Sequence, residues 1–181
     1  MTHESNISAT LSELWVTDTS PLIALAKIGY LSLLTDTNRL ALIPETVRGE
    51  VLVGAENDPA RQALLAGWGV TIPTPPVPPQ VRALRLDAGE ESVIAAALVR
   101  PGMTNKTGGY PTVVLDDGQA RRRAAQLGLT VIGSLGVVLR ARHEGRIAAA
   151  APLLHALRDV GLYFLDAPVR AALSALGETW P

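Results

Sequence analysis

The stretch Leu14-Trp15-Val16-Thr17-Asp18-Thr19-Ser20-Pro21-Leu22-Ile23-Ala24-Leu25 decides the fold. Its first four residues are apolar or β-branched and read as a short buried strand. The strand ends at an acid, and Ser20-Pro21 then opens an apolar run that Gly29 closes. Ser before Pro is a strong helix start, which predicts Ser20 as the N-cap and Pro21 as the first helical residue. Strand, acid and helix in that order are the building unit of a parallel α/β sheet.

The unit recurs downstream. After a short helical turn at Leu31–Leu34, residues 39–43 form a second strand candidate, and Pro44 is placed to start a helix through Val47, Val51 and Leu52. Asp58-Pro59 starts another short helix that Gly67 stops, and Val70–Ile72 suits a minor edge strand. Pro73, Pro75, Pro76, Pro78 and Pro79 make a stiff polyproline-like spacer, with a ligand for a proline-reading domain as the alternative. Residues 81–86 and 89–99 read as helices and residues 101–111 as a Gly-rich surface loop. A third unit follows: the continuous apolar run at 112–115 ends in Asp116-Asp117, and residues 120–127 form a helix capped by Gly128. Residues 129–132 are a further strand, Gly133-Ser134 turns into a helix bearing Leu135, Val138 and Leu139, and amphipathic helices at 151–160 and 168–176 complete the chain. Short apolar strands separated by helices predict a parallel sheet covered on both faces.

Composition narrows the chemistry. The 181 residues suit one domain, and 48% hydrophobic against 18% charged residues with mean hydropathy +0.23 exclude a disordered chain. The 16 Lys+Arg against 17 Asp+Glu give a net charge of −1, so no global basic field or acidic tail is present. Cysteine is absent, which removes disulfides, thiolate nucleophiles and Cys-held metals. His3, His143 and His155 do not pair at ligand spacing, so any metal is held by carboxylates, which favours a hard ion such as Mg²⁺ or Mn²⁺. The polar residues 1–10 do not read as a secretory signal, and no apolar run approaches the roughly 18 residues of a membrane span. A cytoplasmic protein without membrane association is expected. Seven aromatic residues are too few for the stacking sheets of common single-strand RNA readers.

In open parallel α/β folds, ligands bind beyond the carboxyl ends of the strands. Asp18 is delivered to that edge after the first strand, and Asp116 with Asp117 after the third unit's strand. Helix capping explains most Asp at such turns, but Ser20 is expected to fill the cap next to Asp18, and of the pair only one is needed as a cap. Glu50 follows the second strand on its helix, and Glu90-Glu91 open the nearly all-apolar helix at 89–99. First-turn acids complement a helix dipole by about 0.3–1 kcal/mol, and Glu50 taken alone is a solvated face residue. Acids converging on one edge repel unless cations neutralise them, which makes a metal site the economical joint reading.

Four segments carry a family resemblance: Asp18-Thr19-Ser20-Pro21-Leu22-Ile23-Ala24-Leu25, Ile43-Pro44-Glu45-Thr46-Val47-Arg48-Gly49-Glu50-Val51, Asp87-Ala88-Gly89-Glu90, and Leu115-Asp116-Asp117-Gly118-Gln119-Ala120-Arg121 with residues 127–136. In this order and register the chain resembles PIN-domain proteins over residues 13–165, and most closely a bacterial and archaeal subgroup related to the toxin ribonucleases of toxin-antitoxin pairs. The resemblance implies a three-layer α/β/α fold with a short, mostly parallel sheet of four or five strands. Residues 1–12 would be a flexible N-terminus, and 166–181 a helix packed on the same domain. It implies a Mg²⁺- or Mn²⁺-dependent endoribonuclease with Asp18, Glu50, Glu90 and Asp117 as catalytic, metal-holding acids. Asp116 would ligate the metal or orient a water, and Ser20 or Thr19 would hydrogen-bond a phosphate. Arg121, with Arg122 and Arg123, would meet the phosphate backbone, an ordinary solvated helix face being the alternative. Expected partners are an RNA substrate, a small antitoxin protein and a second copy of the chain.

Several assignments stay open. Glu91 competes with Glu90 and Glu45 with Glu50, and the loop at 104–111 reads as an insertion before a strand. A PIN-like binding or protein-interaction module with weak or no catalysis is the alternative function. Leu31–Leu34 would serve as an exposed apolar patch for a partner, or else as core. Arg140, Arg142 and Arg146 read as surface. A haloacid-dehalogenase-type phosphatase would need an acid where Ser20 stands, a receiver domain would need a Lys at a later strand end, and Gly133 to Gly136 lacks the full dinucleotide glycine pattern.

Overall fold

The computed structural model describes residues 13–100 and 109–181. Trp15 and Val16, both fully buried, anchor the central strand β1 (Glu13–Thr17), which leads into α1 (Thr19–Lys27). A 3-10 turn at Leu31–Leu34 precedes β2 (Arg39–Pro44), α2 (Glu45–Val53), α3 (Pro59–Leu65) and β3 (Val70–Ile72). Next come the single-turn α4 (Pro79–Arg82), α5 (Ala88–Leu98), β4 (Thr112–Val114), α6 (Gly118–Gln126), β5 (Val131–Ile132), α7 (Ser134–His143), α8 (Ala151–Asp159) and α9 (Asp166–Ala175). The five strands pair in the order β3-β2-β1-β4-β5, and every pairing is parallel. With helices covering it, the sheet makes the three-layer α/β/α arrangement that the strand-helix alternation predicts.

The strand order positions the site. The chain steps outward from β1 to β2 and β3, then returns past β1 to β4, so the order reverses between β1 and β4. Crevices form at such reversals, just outside the carboxyl ends of the strands. The register is Val16↔Val113 and Thr17↔Val114, and the Asp18 amide donates to the Val114 carbonyl at 3.1 Å. Asp18 and the acids that follow β4 therefore emerge side by side. Under them lies α5, whose Val93, Ile94, Ala95, Ala96 and Ala97 are all fully buried. A helix apolar on every side is one enclosed by the fold, and α5 packs against β1, β2, β4 and α2.

The opposite end of the sheet is closed by ion pairs. Arg39, 3% exposed, meets Glu13 at 2.9 Å, Glu144 at 2.8 Å and Asp36 at 3.1 Å, with its guanidinium 4.1 Å from the Trp15 ring centroid. Arg140 joins Glu13 and Glu144, Arg142 meets Glu178 at 2.9 Å, and Arg146 donates to the carbonyls of Ser32, Leu33 and Thr35. Arg140, Arg142 and Arg146, expected at the surface, stay partly exposed there, and each also ties to a distant part of the chain: Arg140 to Glu13, Arg142 to Glu178 and Arg146 to the 32–35 turn.

Other expectations also change. Leu33 and Leu34 are in the core, so Leu31–Leu34 is not an exposed partner patch; burial of these side chains is what fixes the turn. The helix expected at 81–86 is only one turn, because Arg85 adopts a left-handed φ of 55° that swings the chain toward Asp87. The first helix starts earlier than expected: Asp18 occupies its N-cap position and Pro21 lies inside the first turn, where a missing N–H leaves no helical bond unmade. Ser20 is therefore not the cap. The expected loop and insertion lie mostly at 101–108, and the expected flexible N-terminus at 1–12, outside the described residues.

Candidate active site

Asp18 follows β1 directly and is 7% exposed, yet its side chain makes no capping bond to α1, and Oδ1 has no hydrogen-bond partner. Such an orphaned buried oxygen is costly unless something outside the chain satisfies it. Glu50, on the exposed side of α2, comes to the same place. A Cβ built on Gly89 would sit 2.7 Å from Glu50 Oε2 and 2.9 Å from Asp18 Oδ1, so the two carboxylates converge on the bare backbone of α5's first turn. Any side chain at Gly89 would intrude on both. The Thr19 hydroxyl donates to Glu50 Oε2, which orients that carboxylate toward Asp18.

Glu90 and Asp87 form a reciprocal capping box on α5. The Glu90 amide donates to Asp87 Oδ1 at 2.8 Å, and the Asp87 amide donates to Glu90 Oε2 at 3.2 Å. Beyond β4, Asp117 accepts from the amides of Gln119 and Ala120 at 2.7 and 2.8 Å and caps α6. Asp116 accepts from the Ser134 amide and hydroxyl, each at 2.7 Å, and so ties the start of α7 to the end of β4. Neither member of the pair is free of structural work, contrary to the expectation of one surplus acid, because two helix starts, not one, border the turn.

These acids share one electrostatic field. Burial pushes Asp18 from the ordinary 3.8 up to about 7; the Thr19 amide pulls the other way, and Asp87, Glu90 and Glu50 push it further up. Glu90 is also raised, mainly by burial, with Asp87, Asp117 and Glu50 adding repulsion against the pull of its cap bond. Asp116 is raised by burial, partly offset by Ser134, Arg121 and the Ser20 hydroxyl. Two adjoining cavities of about 420 and 560 Å³ open on the group and share Asp18, Ser20 and Asp87. Glu50 and Thr19 line the first; Glu90, Asp116, Asp117 and Arg121 line the second, together with Tyr163 and Phe164.

A family model described as DUF3368, PIN domain, matches residues 14–178. The chain belongs to the PIN-domain family. No curated protein matches it. A PIN domain is a nuclease-type fold, and PIN domains typically use divalent metals.

Within this PIN domain, Asp18, Glu50, Glu90, Asp116, Asp117, Ser20 and Arg121 all border the paired cavities, whereas Glu45 and Glu91 line neither. Two residues at the site went unassigned in the sequence. Asp87 is the cap of a D-x-x-E box and reads as purely local, although it faces both cavities. Gly89 had a signal: a glycine among strong helix formers marks a close approach. Among the described residues, no three His, Cys, Asp or Glu side chains gather closely enough to enclose a metal. The donor set still fits a hard, partly hydrated ion, since Mg²⁺ is commonly held by one or two carboxylates and keeps several waters. Asp18 Oδ1 and Glu50 across Gly89 are the residues that would hold it, with Glu90 and Asp117 behind them.

Proposed function

We propose that this PIN domain is a Mg²⁺- or Mn²⁺-dependent endoribonuclease that acts as the toxin of a toxin-antitoxin pair. The observation that carries the reading is the buried, unpartnered Asp18 Oδ1 facing Glu50 across Gly89. A divalent ion held there supplies charge to a phosphoryl oxygen and a water of lowered pKa for hydrolysis. Asp18 and Glu50 would hold that ion, and the Thr19 hydroxyl fixes the Glu50 carboxylate. Glu90 and Asp117, which line the adjoining cavity, would add negative field beside it. Asp116, held by Ser134, keeps Arg121 and Ser20 beside the cleft, where they bind the phosphate on either side of the scissile bond.

Purified protein with Mn²⁺ should cleave single-stranded RNA, lose activity in EDTA, and lose it on Asp18→Asn with the fold retained. Equal cleavage by wild type and Asp18→Asn would defeat this reading. The absence of an enclosed three-acid group among the described residues favours one other reading, a non-catalytic PIN-like interaction module. That module would cleave no RNA with any metal and would co-purify with a small neighbouring protein. With Leu33 and Leu34 in the core, a partner or second copy would use another surface.

A further inference from the structure

We infer that Tyr163 is a base-stacking platform that positions a single-stranded RNA next to the scissile phosphate; the inference rests on the ribonuclease reading above. Tyr163 is 84% exposed yet lines the same cavity as Asp18, Asp117 and Arg121. Exposed tyrosine is unremarkable on an open surface, but here the ring stands at the rim of a cleft whose floor holds an unpartnered buried carboxylate oxygen.

The segment that carries Tyr163 is braced at both ends. Gly161, at φ 99°, ends α8 with its amide donating to the Arg158 carbonyl at 3.0 Å, and the Leu162 amide donates to the Leu157 carbonyl at 3.0 Å. This is the paired-bond cap that only a left-handed residue allows, and it fixes the direction in which the chain leaves the helix. On the other side, Arg158 donates to the Phe164 carbonyl at 3.1 Å and to Asp166 at 2.7 Å, and its guanidinium lies 5.0 Å from the Phe164 ring centroid. Phe164 turns inward against Trp180, with centroids 6.2 Å apart. Tyr163 is thus an aromatic left facing the cleft on a short, pre-set backbone, so a base stacked on it costs little ordering.

The cleft supplies the complement. Arg121 lies near Asp116 and Gly133, lines the same cavity as the 161–164 segment, and offers a guanidinium to a phosphate. A phosphate at Arg121 and a base on Tyr163 define one nucleotide beside the reacting bond. A flat aromatic face takes any unpaired base but not one inside a duplex, so the site selects single-stranded RNA with little sequence preference.

The test compares Tyr163→Ala and Tyr163→Trp on a single-stranded RNA and on the same RNA carrying one abasic nucleotide, scanned through the positions flanking the cut. Tyr163→Ala should raise KM roughly 5- to 150-fold with little change in kcat, because stacking of a base, which takes no part in the bond cleavage, is the same in ground and transition states. Tyr163→Trp should restore KM. One abasic position should raise the wild-type KM as much as Tyr163→Ala does, and should add nothing in that variant. An unchanged KM in Tyr163→Ala, a fall confined to kcat, or full additivity of the two lesions would overturn the platform while leaving the ribonuclease intact. Failure of the wild type to cleave any RNA with Mn²⁺ would overturn the ribonuclease reading itself and the platform with it.

Discussion

Replacing Asp18 by Asn should make the metal-free chain more stable at pH 8, although it removes the central acid of the site. Burial and the neighbouring acids Asp87, Glu90 and Glu50 lift the Asp18 carboxyl from 3.8 to about 7. Each pH unit of such displacement is worth about 1.4 kcal/mol, so at pH 8 the folded chain carries an unfavourable charge of up to about 4 kcal/mol. The sign follows from proton linkage: between pH 4 and 7 the folded state holds a proton on Asp18 that the unfolded state has released, so stability falls as pH rises through that window. Asn carries no charge in either state. Its advantage is therefore near zero at pH 4, grows toward pH 7 and is flat above, where Tm should be higher by about 10 °C for a domain of this size. A shallower slope should persist in the variant, because Glu90 and Asp116 are raised in the same sense. The assay is thermal denaturation in EDTA across pH 4 to 8, repeated with Mg²⁺ or Mn²⁺. Saturating ion at a hundredfold over its dissociation constant adds about 2.7 kcal/mol to whatever binds it, so the wild type should gain and Asp18→Asn should not. A variant that is equal to or weaker than wild type at pH 8 without metal would refute the reasoning, for the carboxylate would then be satisfied from within.

Three other substitutions separate the roles of the surrounding residues. Gly89→Ala improves helix propensity by about 0.5–1 kcal/mol but thrusts a methyl against Glu50 and Asp18. Calorimetric affinity for the divalent ion should fall roughly 10- to 100-fold with folding stability within about 1 kcal/mol of wild type. Asp116→Ala strips the fully buried Ser134 hydroxyl of its acceptor and should cost about 1–3 kcal/mol in urea denaturation. Arg39→Met leaves Glu13, Asp36 and Glu144 short of their counter-charge and should destabilise by about 3–5 kcal/mol, with kcat unaltered because Arg39 lies at the opposite end of the sheet.

The sheet was legible because its strands are short apolar runs, each closed by an acid, a proline or a glycine, and that pattern suffices to set a parallel βα order. Element ends were less so. Pro21 suggested a cap at Ser20, yet backbone pairing of Asp18 with Val114 draws the helix start two residues back. That is a long-range effect no local signal contains. The one-turn α4 turns on Arg85 accepting a left-handed backbone, which nothing in its side chain announces. In the candidate site, acids at strand ends were readable from position alone. Their second occupations, Asp116 on Ser134, Asp117 on α6, and Glu90 with Asp87 on α5, depend on partners and had to be seen.

The net charge of −1 conceals a segregation that bears on function. At the amino end of the strands, Glu13, Asp36 and Glu144 are each matched to Arg39, Arg140 or Arg146 within 4 Å. At the carboxyl end, Asp18, Glu50, Asp87, Glu90, Asp116 and Asp117 line the two cavities, and among the described residues lining them Arg121 alone is basic. The same chain that matches three acids to arginines at one end leaves six nearly bare at the other. Burial and the neighbouring acids push the Asp18 and Glu90 carboxyls up, which destabilises the fold once they ionise. Divalent charge entering that edge would remove the deficit, and on the ribonuclease reading an edge that repels a polyanion as the bare protein would then accept one. Whole-chain charge is thus a poor guide to the partner of such an edge, because a cation that would make it receptive to a polyanion is not counted in the sum over residues.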